Sequence, residues 1–295
     1  VSTFEGILQD PAIELVVVNT PEPTHSDLTR RALLAGKHVV VEKAFTPTVA
    51  EADELIELAQ KQKRILSVYH NRRWDSDFLT VSQVIRQGLL GRLVNYEAHY
   101  DRYRNFIQES WKEQPAPGTS ILFNLGSHLI DQALQLFGLP EALWADLRIE
   151  RSGGQVPDAF DLVLFYEGFR ARLRASYLVR EPGPRYRVDG TLGSFVKHGL
   201  DPQEEALKVG IQPGSPGWGM EPESIWGDLH TEREGLVYRG KIESLGGDYR
   251  RYYQELAPAI RKKSAPPVTA AQARDVIQLI EHAQKSAATR QVIKL

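Results

Sequence analysis

The chain has 295 residues, 36 of them basic and 38 acidic, with 42% hydrophobic and 25% charged residues. That is the balance of a folded protein with room for about two domains. Its formal net charge of -2 offers no global field to nucleic acid or an anionic membrane, so neither is an expected partner. Cysteine is absent, which removes disulfides, thiolate metal sites and cysteine nucleophiles and suits a reducing, cytoplasmic setting.

The chain opens on Val1 and its single methionine is Met220, so the natural start is expected upstream. Residues 14–19 are a short β-branched apolar run, which predicts a strand covered on both faces. Pro21-Glu22-Pro23 breaks it. Thr24 reads as the N-cap of a helix, with Asp27 three residues on, an apolar stripe of Leu28, Ala32 and Leu33, and Gly36 as the stop. Residues 38–41 predict a second buried strand. Residues 49–63 predict a second helix, with Ala52, Leu55, Ile56 and Ala59 at helical spacing, and residues 65–69 a third strand. This alternation implies a parallel sheet with right-handed crossovers. Three strands make half of a doubly wound sheet, so the strand from about Glu14 is expected at or near an edge.

After Trp74 the pattern changes. A helix over 77–87 precedes an alternating strand over 92–103, a Pro- and Gly-rich loop over 113–118 and an apolar helix over 121–137. Residues 141–196 alternate with period two between glycine-bearing turns, as in a mainly antiparallel meander. Residues 200–247 are dense in Gly and Pro and carry no clear period. Helices over 248–262 and 269–287 close the chain. The predicted class is α/β: the second half of a Rossmann-like doubly wound parallel sheet over 1–74, then an α+β domain with a mainly antiparallel open sheet over 75–295.

In open α/β sheets ligands bind beyond the carboxyl ends of the strands. Glu42 and Lys43 follow the second strand, Thr20-Pro21 the first and Asn71-Arg72 the third, so three strand ends carry polar groups in register. Solvated lysines are the rule, but this placement makes Lys43 a functional candidate. On the apolar helix, Asn124, His128 and Asp131 share one face at spacings of four and three. A histidine there is as readily a satisfied core residue as a catalyst. Arg102 and Tyr103, at the end of the strand over 92–103, can offer hydrogen-bonding and aromatic groups to a polyol. Arg170, Arg172 and Arg174 share a strand face that reads as solvated. The histidines show no metal-ligand clustering, and no Gly-x-Ser-x-Gly elbow follows a strand.

Thr20-Pro21, His25, Gly36-Lys37-His38-Val39, Glu42-Lys43 and Gly126-x-His128 resemble the Gfo/Idh/MocA family of nicotinamide-dependent oxidoreductases, which act mostly on sugars and cyclitols. The resemblance continues through Asp189-Gly190-Thr191-x-Gly193-Ser194-Phe195 and Pro267-Val268-Thr269-Ala270. Residues 71–75 and 125–132 look most like its scyllo-inositol dehydrogenase group. It implies NAD or NADP as cofactor, a sugar or polyol substrate and a homodimer or higher homo-oligomer formed on the open sheet face. It also implies Lys43 as the proton-transfer residue or polariser of the reacting oxygen, with His128 as its partner and Asn124 beside them. Thr20, Pro21, His25, Glu42, Asn71 and Arg72 would serve the cofactor, with Glu42 turned toward it or toward backbone.

Three departures stand out. The family's opening strand, Gly-x-Gly-x-x-Gly turn and second strand are not in these residues. Its Glu-Lys-Pro is Glu42-Lys43-Ala44, and its usual acid four residues before the histidine is Asn124, which can hydrogen-bond but not carry charge. The alternatives are a non-catalytic dinucleotide- or sugar-binding regulatory relative and an NAD-dependent glycosidase.

Overall fold

The computed structural model describes residues 3–295. It opens with a short helix α1 (Phe4–Gln9) that sequence patterning does not mark, capped by the Thr3 hydroxyl. A three-stranded parallel sheet follows in the order β1 (Leu15–Val18), β2 (His38–Val41), β3 (Leu66–Val68). The crossovers are α2 (His25–Leu34) and α3 (Val49–Gln62). The Thr48 hydroxyl caps α3 by accepting from the Glu51 amide, and Lys63 ends it in the left-handed region.

Two expectations need correction here. β1 stands at the sheet edge and is covered on one face only: Val16 and Val18 are buried while Val17 is 46% exposed. Thr24 does not cap α2 with its side chain, because a 3-10 turn (Glu22–Thr24) runs straight into the helix. The Thr24 hydroxyl donates instead to the Pro21 carbonyl at 2.7 Å.

Helix α4 (Ser76–Arg86) leads into a nine-stranded sheet, introduced in chain order as β4 (Leu93–His99), β5 (Ala142–Arg148), β6 (Ala159–Tyr166), β7 (Phe169–Ser176), β8 (Tyr186–Gly190), β9 (Gly193–Lys197), β10 (Gly227–Arg233), β11 (Leu236–Ile242) and β12 (Ile293–Lys294). The spatial order is β11-β10-β9-β8-β4-β7-β6-β5-β12, antiparallel except where β4 meets β7. β4 is shorter than the alternation predicts, and its pairing resumes as a single bridge between Tyr103 and Leu178. Arg170 and Arg172 do lie on the exposed face of β7.

The helix over 121–137 is not uniform. Leu122–Gly126 is a π-helical turn and only Ser127–Phe137 (α5) is α-helical, a local widening frequent at functional sites. The segment over 200–247 holds a short helix α6 (Gln203–Lys208) and the β10–β11 hairpin. α7 (Arg250–Lys262) and α8 (Ala270–Thr289) finish the fold, with α8 entered through a Thr269/Gln272 capping box. The C-terminal segment returns to the parallel sheet: Thr269 bridges Ser67 of β3, and the Ser67 hydroxyl lies 2.6 Å from that of Tyr252. One apolar core runs through both sheets, from Val39–Val41 to Leu162, Leu173 and Ile277.

Candidate active site

The parallel strands deliver their polar ends to one side. The turn after β2 carries Glu42 and Lys43 to a cavity of 370 Å³ also lined by Asn71, Arg72, Arg102, Asn124 and His128. A smaller cavity of 140 Å³ shares Glu42, Lys43 and Asn124 and adds Thr20, Glu22 and His25. Lys43 and Asn124 therefore form the wall between two polar chambers. A larger cavity of 580 Å³ beneath the β10–β11 hairpin is lined by none of these residues.

The contact that joins the two sequence regions is direct. Lys43 Nζ donates to the Asn124 main-chain carbonyl at 2.7 Å and to Asn124 Oδ1 at 3.1 Å. The π-helical turn is thus where this helix offers a carbonyl to a side chain from another element. The Asn124 amide is oriented from behind: Nδ2 donates to the Tyr177 hydroxyl at 3.2 Å. The Tyr177 ring is held between the Arg104 and Arg151 guanidiniums, 4.2 and 4.7 Å from its centroid.

Burial, and then the Lys112 and Arg72 cations, push the Lys43 amine down to about 8 against the opposing pull of Glu42 and Glu22. Glu42 does not face the ammonium in an ion pair; its Oε2 accepts from the Lys43 amide at 3.1 Å, and burial raises its carboxyl. His128 is 5% exposed and held well below its ordinary value, by burial first and then by Lys43, Arg72, His70 and Arg185. It is a neutral imidazole at neutral pH. Its Nδ1 is buried without a hydrogen-bond partner among the described residues, and the centroids of the His128 and Tyr100 rings are 6.3 Å apart.

The other candidates divide. Arg72 donates to Asp75 at 3.2 Å, pairs with Glu204 and lies over the Tyr100 ring, so it faces the same cavity as His128. His25 ties the loops after β1 and β2, with Nδ1 2.9 Å from the Ala44 carbonyl and Nε2 2.9 Å from the Thr20 carbonyl. Pro21 lines neither chamber. Tyr103 is not brought to the site: it is 43% exposed beneath the Arg180 guanidinium at 4.0 Å, on the opposite side from Arg102, as adjacent extended residues are. Asp131 does not line the cavity with His128 and pairs with buried Arg73 at 2.6 Å.

Sequence patterning missed Lys112, which lines both chambers from a 3-10 turn (Trp111–Glu113), as well as Glu22, Tyr177 and Glu204. Lys112 and Glu204 sit in stretches without a period. Glu22 carried one signal, an acid at the carboxyl end of a strand.

The arrangement fits the nicotinamide end of a dinucleotide. Thr20, His25, Glu42 and Lys43 line a continuous polar surface beyond the strand ends, and in the same chamber Glu22 Oε1 is a buried polar atom without a hydrogen-bond partner among the described residues. Among the described residues there is no group of three or more His, Asp or Glu that could hold a metal ion. No helix there is long and apolar enough to cross a membrane.

Comparison with known proteins places these features in a family. Residues 1–70 match the Gfo/Idh/MocA model described as an oxidoreductase family NAD-binding Rossmann fold, and residues 82–295 match its C-terminal alpha/beta domain. Scyllo-inositol 2-dehydrogenase (NADP(+)) IolW of Bacillus subtilis (strain 168) is 41% identical over 295 residues, 100% of this chain and 82% of the relative. The oxidoreductase YdgJ of Escherichia coli (strain K12) is 41% identical over 303 residues, 100% of this chain and 85% of that protein. The solved structure of the oxidoreductase yvaA from Bacillus subtilis superposes with a TM-score of 0.95 at 41% identity, over 100% of this chain and 84% of that one. The chain belongs to the Gfo/Idh/MocA family of oxidoreductases.

Proposed function

We propose that this Gfo/Idh/MocA oxidoreductase passes a hydride between the nicotinamide of NAD or NADP and the carbon of a secondary hydroxyl on a sugar or cyclitol. The observation that carries the reading is the placement of Lys43 Nζ, fixed by two oxygen atoms of Asn124 in the cavity that His128 also lines. Bound nicotinamide supplies the carbon that takes or gives the hydride. Lys43 must be neutral to accept the hydroxyl proton during oxidation. With its amine near 8, roughly a tenth is neutral at pH 7, against well under a thousandth for a free lysine. In the reverse direction its ammonium returns the proton to the forming alkoxide.

Neutral His128 can hold the reacting oxygen by hydrogen bond without adding charge beside Lys43. Asn124 fits the same logic: its amide accepts from Lys43 but lacks the negative charge that would raise the amine. Arg102 and Lys112, which line the same cavity, would bond the remaining hydroxyls, and 370 Å³ accommodates one six-membered ring. Similarity to a scyllo-inositol dehydrogenase supports a cyclitol. The outward face of the nine-stranded sheet, with Arg170 and Arg172, is the surface proposed for the homo-oligomer. The test is nicotinamide absorbance of the holoenzyme with a panel of polyols and cyclitols. Reduced cofactor is expected to accumulate with at least one; cofactor binding without reduction by any of them would favour a regulatory relative.

A further inference from the structure

A third cavity, of 190 Å³, shares Arg102, Lys112 and Asn124 with the 370 Å³ cavity of the site and has no part in the reading above. Its wall also includes Arg104, Gln108, Glu113 and Tyr177. One amide joins the two cavities: Asn124 Nδ2 donates to the Tyr177 hydroxyl at 3.2 Å, while its Oδ1 accepts from Lys43. At about half the volume of its neighbour, the third cavity has room for a substituent on a ring but not for a second ring.

The wall is rich in donors, and its one acid is already engaged. Glu113 Oε1 accepts from Arg104 Nη2 at 2.7 Å and Oε2 from Arg151 Nη2 at 2.7 Å. Asp158 matches Arg151 in turn, at 2.8 Å, and Gln108 Oε1 accepts from Arg104 Nη1. The charges of Arg102 and Lys112 are left without an acid within ion-pair distance among the described residues. Only the main-chain groups of Arg102 are engaged, by Ser176 and Val179. Arg104 Nε is buried with no partner among the described residues. Glu22 and Glu42 border Lys112 in the small chamber, but neither lines this cavity. A hydroxyl both donates and accepts, so a neutral polyol needs acceptors as well as donors. A carboxylate or phosphate only accepts, and guanidinium and ammonium groups are its strongest donors.

We propose that the 190 Å³ cavity is a subsite for an anionic substituent, so that the substrate is a polyol ring carrying a carboxylate or phosphate group. The ring occupies the 370 Å³ cavity, and Arg102 and Lys112, at the junction, bind the anion. The inference rests on the reading of the larger cavity as the ring site. Arg104, tied to Glu113 and Gln108 with its guanidinium over the Tyr177 ring, forms the wall beside it. The anion takes no part in the bonds made and broken at the reacting carbon.

The probes are a neutral hexose with its uronate and its 6-phosphate, and inositol with inositol monophosphate. Binding to the holoenzyme is measured by calorimetry and kcat/KM by nicotinamide absorbance, in wild type, Arg102→Gln and Lys112→Gln. At least one anionic probe should bind about tenfold or more tighter than its neutral parent, and that advantage should shrink as salt rises. Each variant should lose most of the advantage, while binding of the neutral parent falls by less; Arg102→Lys should recover part of it. A gain for the uronate alone assigns a carboxylate, and a gain for the phosphates alone assigns a phosphate. No advantage for either anion in wild type overturns the proposal. So does an advantage that both variants keep, which would put the anion elsewhere. Anion binding lost in the variants, without turnover of any probe, would keep the subsite and defeat the oxidoreductase reading. Turnover of the neutral parents with no anionic advantage would do the reverse. If Arg102→Gln fails to fold, Lys112→Gln, on an exposed turn, supplies the same comparison.

Discussion

Asn124→Asp places a formal negative charge where the structure now has an amide oxygen 3.1 Å from Lys43 Nζ. At that separation and an effective dielectric constant of about 20, the attraction is about 5 kcal/mol. Burying a new carboxylate offsets much of it, and close opposite charges in proteins shift proton affinities by about 1–3 pH units. The Lys43 amine, now near 8, should therefore rise by at least one unit. Its neutral fraction at pH 7 should fall about tenfold or more. In the oxidation direction the acidic limb of the kcat/KM profile should move to higher pH, and the plateau should be reached only in alkaline solution. The same charge also favours protonated His128, which acts in the same direction by removing a neutral hydrogen-bonding partner. The assay is the pH dependence of kcat/KM for wild type and variant over the same buffers. A limb that stays in place, or moves to lower pH, would refute the placement of Lys43 as the titrating base beside residue 124.

Lys43→Met should lower turnover by about 10²–10⁴-fold while stabilising the fold at neutral pH, since the native state depresses this amine from 10.5 to about 8. Between those values the unfolded chain binds the proton that the native protein does not, so wild-type stability rises with pH across that window by up to about 3 kcal/mol; denaturant melts of the variant should show that rise removed. Asp131→Asn leaves buried Arg73 without its carboxylate and should cost about 3–5 kcal/mol in denaturant melts. Because Arg73 holds the Asp131 carboxyl below its ordinary value, that contribution is present above the ordinary carboxylate range and is lost as pH falls through the native value. Tyr177→Phe removes the hydroxyl that meets Asn124 Nδ2 and should lower kcat several-fold with KM little changed; an equal loss through KM alone would assign Tyr177 to substrate binding.

Much of this was legible because local chemistry and fold agree. The buried runs of β2 and β3 and the Gly36 stop all speak at the level of a few residues, and the strand-end rule then singles out Lys43 without any long-range knowledge. The π-helical turn at Leu122–Gly126 was hidden by the assumption of a constant 3.6 spacing, which sets the phase of Asn124 against His128; Asp131, three residues after His128 within α5, takes Arg73 as its partner instead of joining the cavity. The β10–β11 hairpin was missed because β11 is exposed along nearly its whole length, so burial imposes no alternation on it. Its Glu234-Gly235 turn, both residues at positive φ, was the available signal. Lys112 and Tyr177 reach the site through loop geometry and a stack of guanidiniums, neither of which leaves a periodic trace. Tyr103 shows the converse: chemistry suited to a sugar, carried on the wrong side of an extended segment.

The most direct measurement follows the hydrogen itself. A polyol or cyclitol deuterated at its carbinol carbon is incubated with the holoenzyme and oxidised cofactor, and the nicotinamide is recovered for mass spectrometry. The account predicts one deuterium on the nicotinamide ring per ketone formed, in wild type, and a rate at least about a hundredfold lower in Lys43→Met. Ketone formed with no deuterium on the nicotinamide, or deuterium transferred equally fast without Lys43, would contradict it.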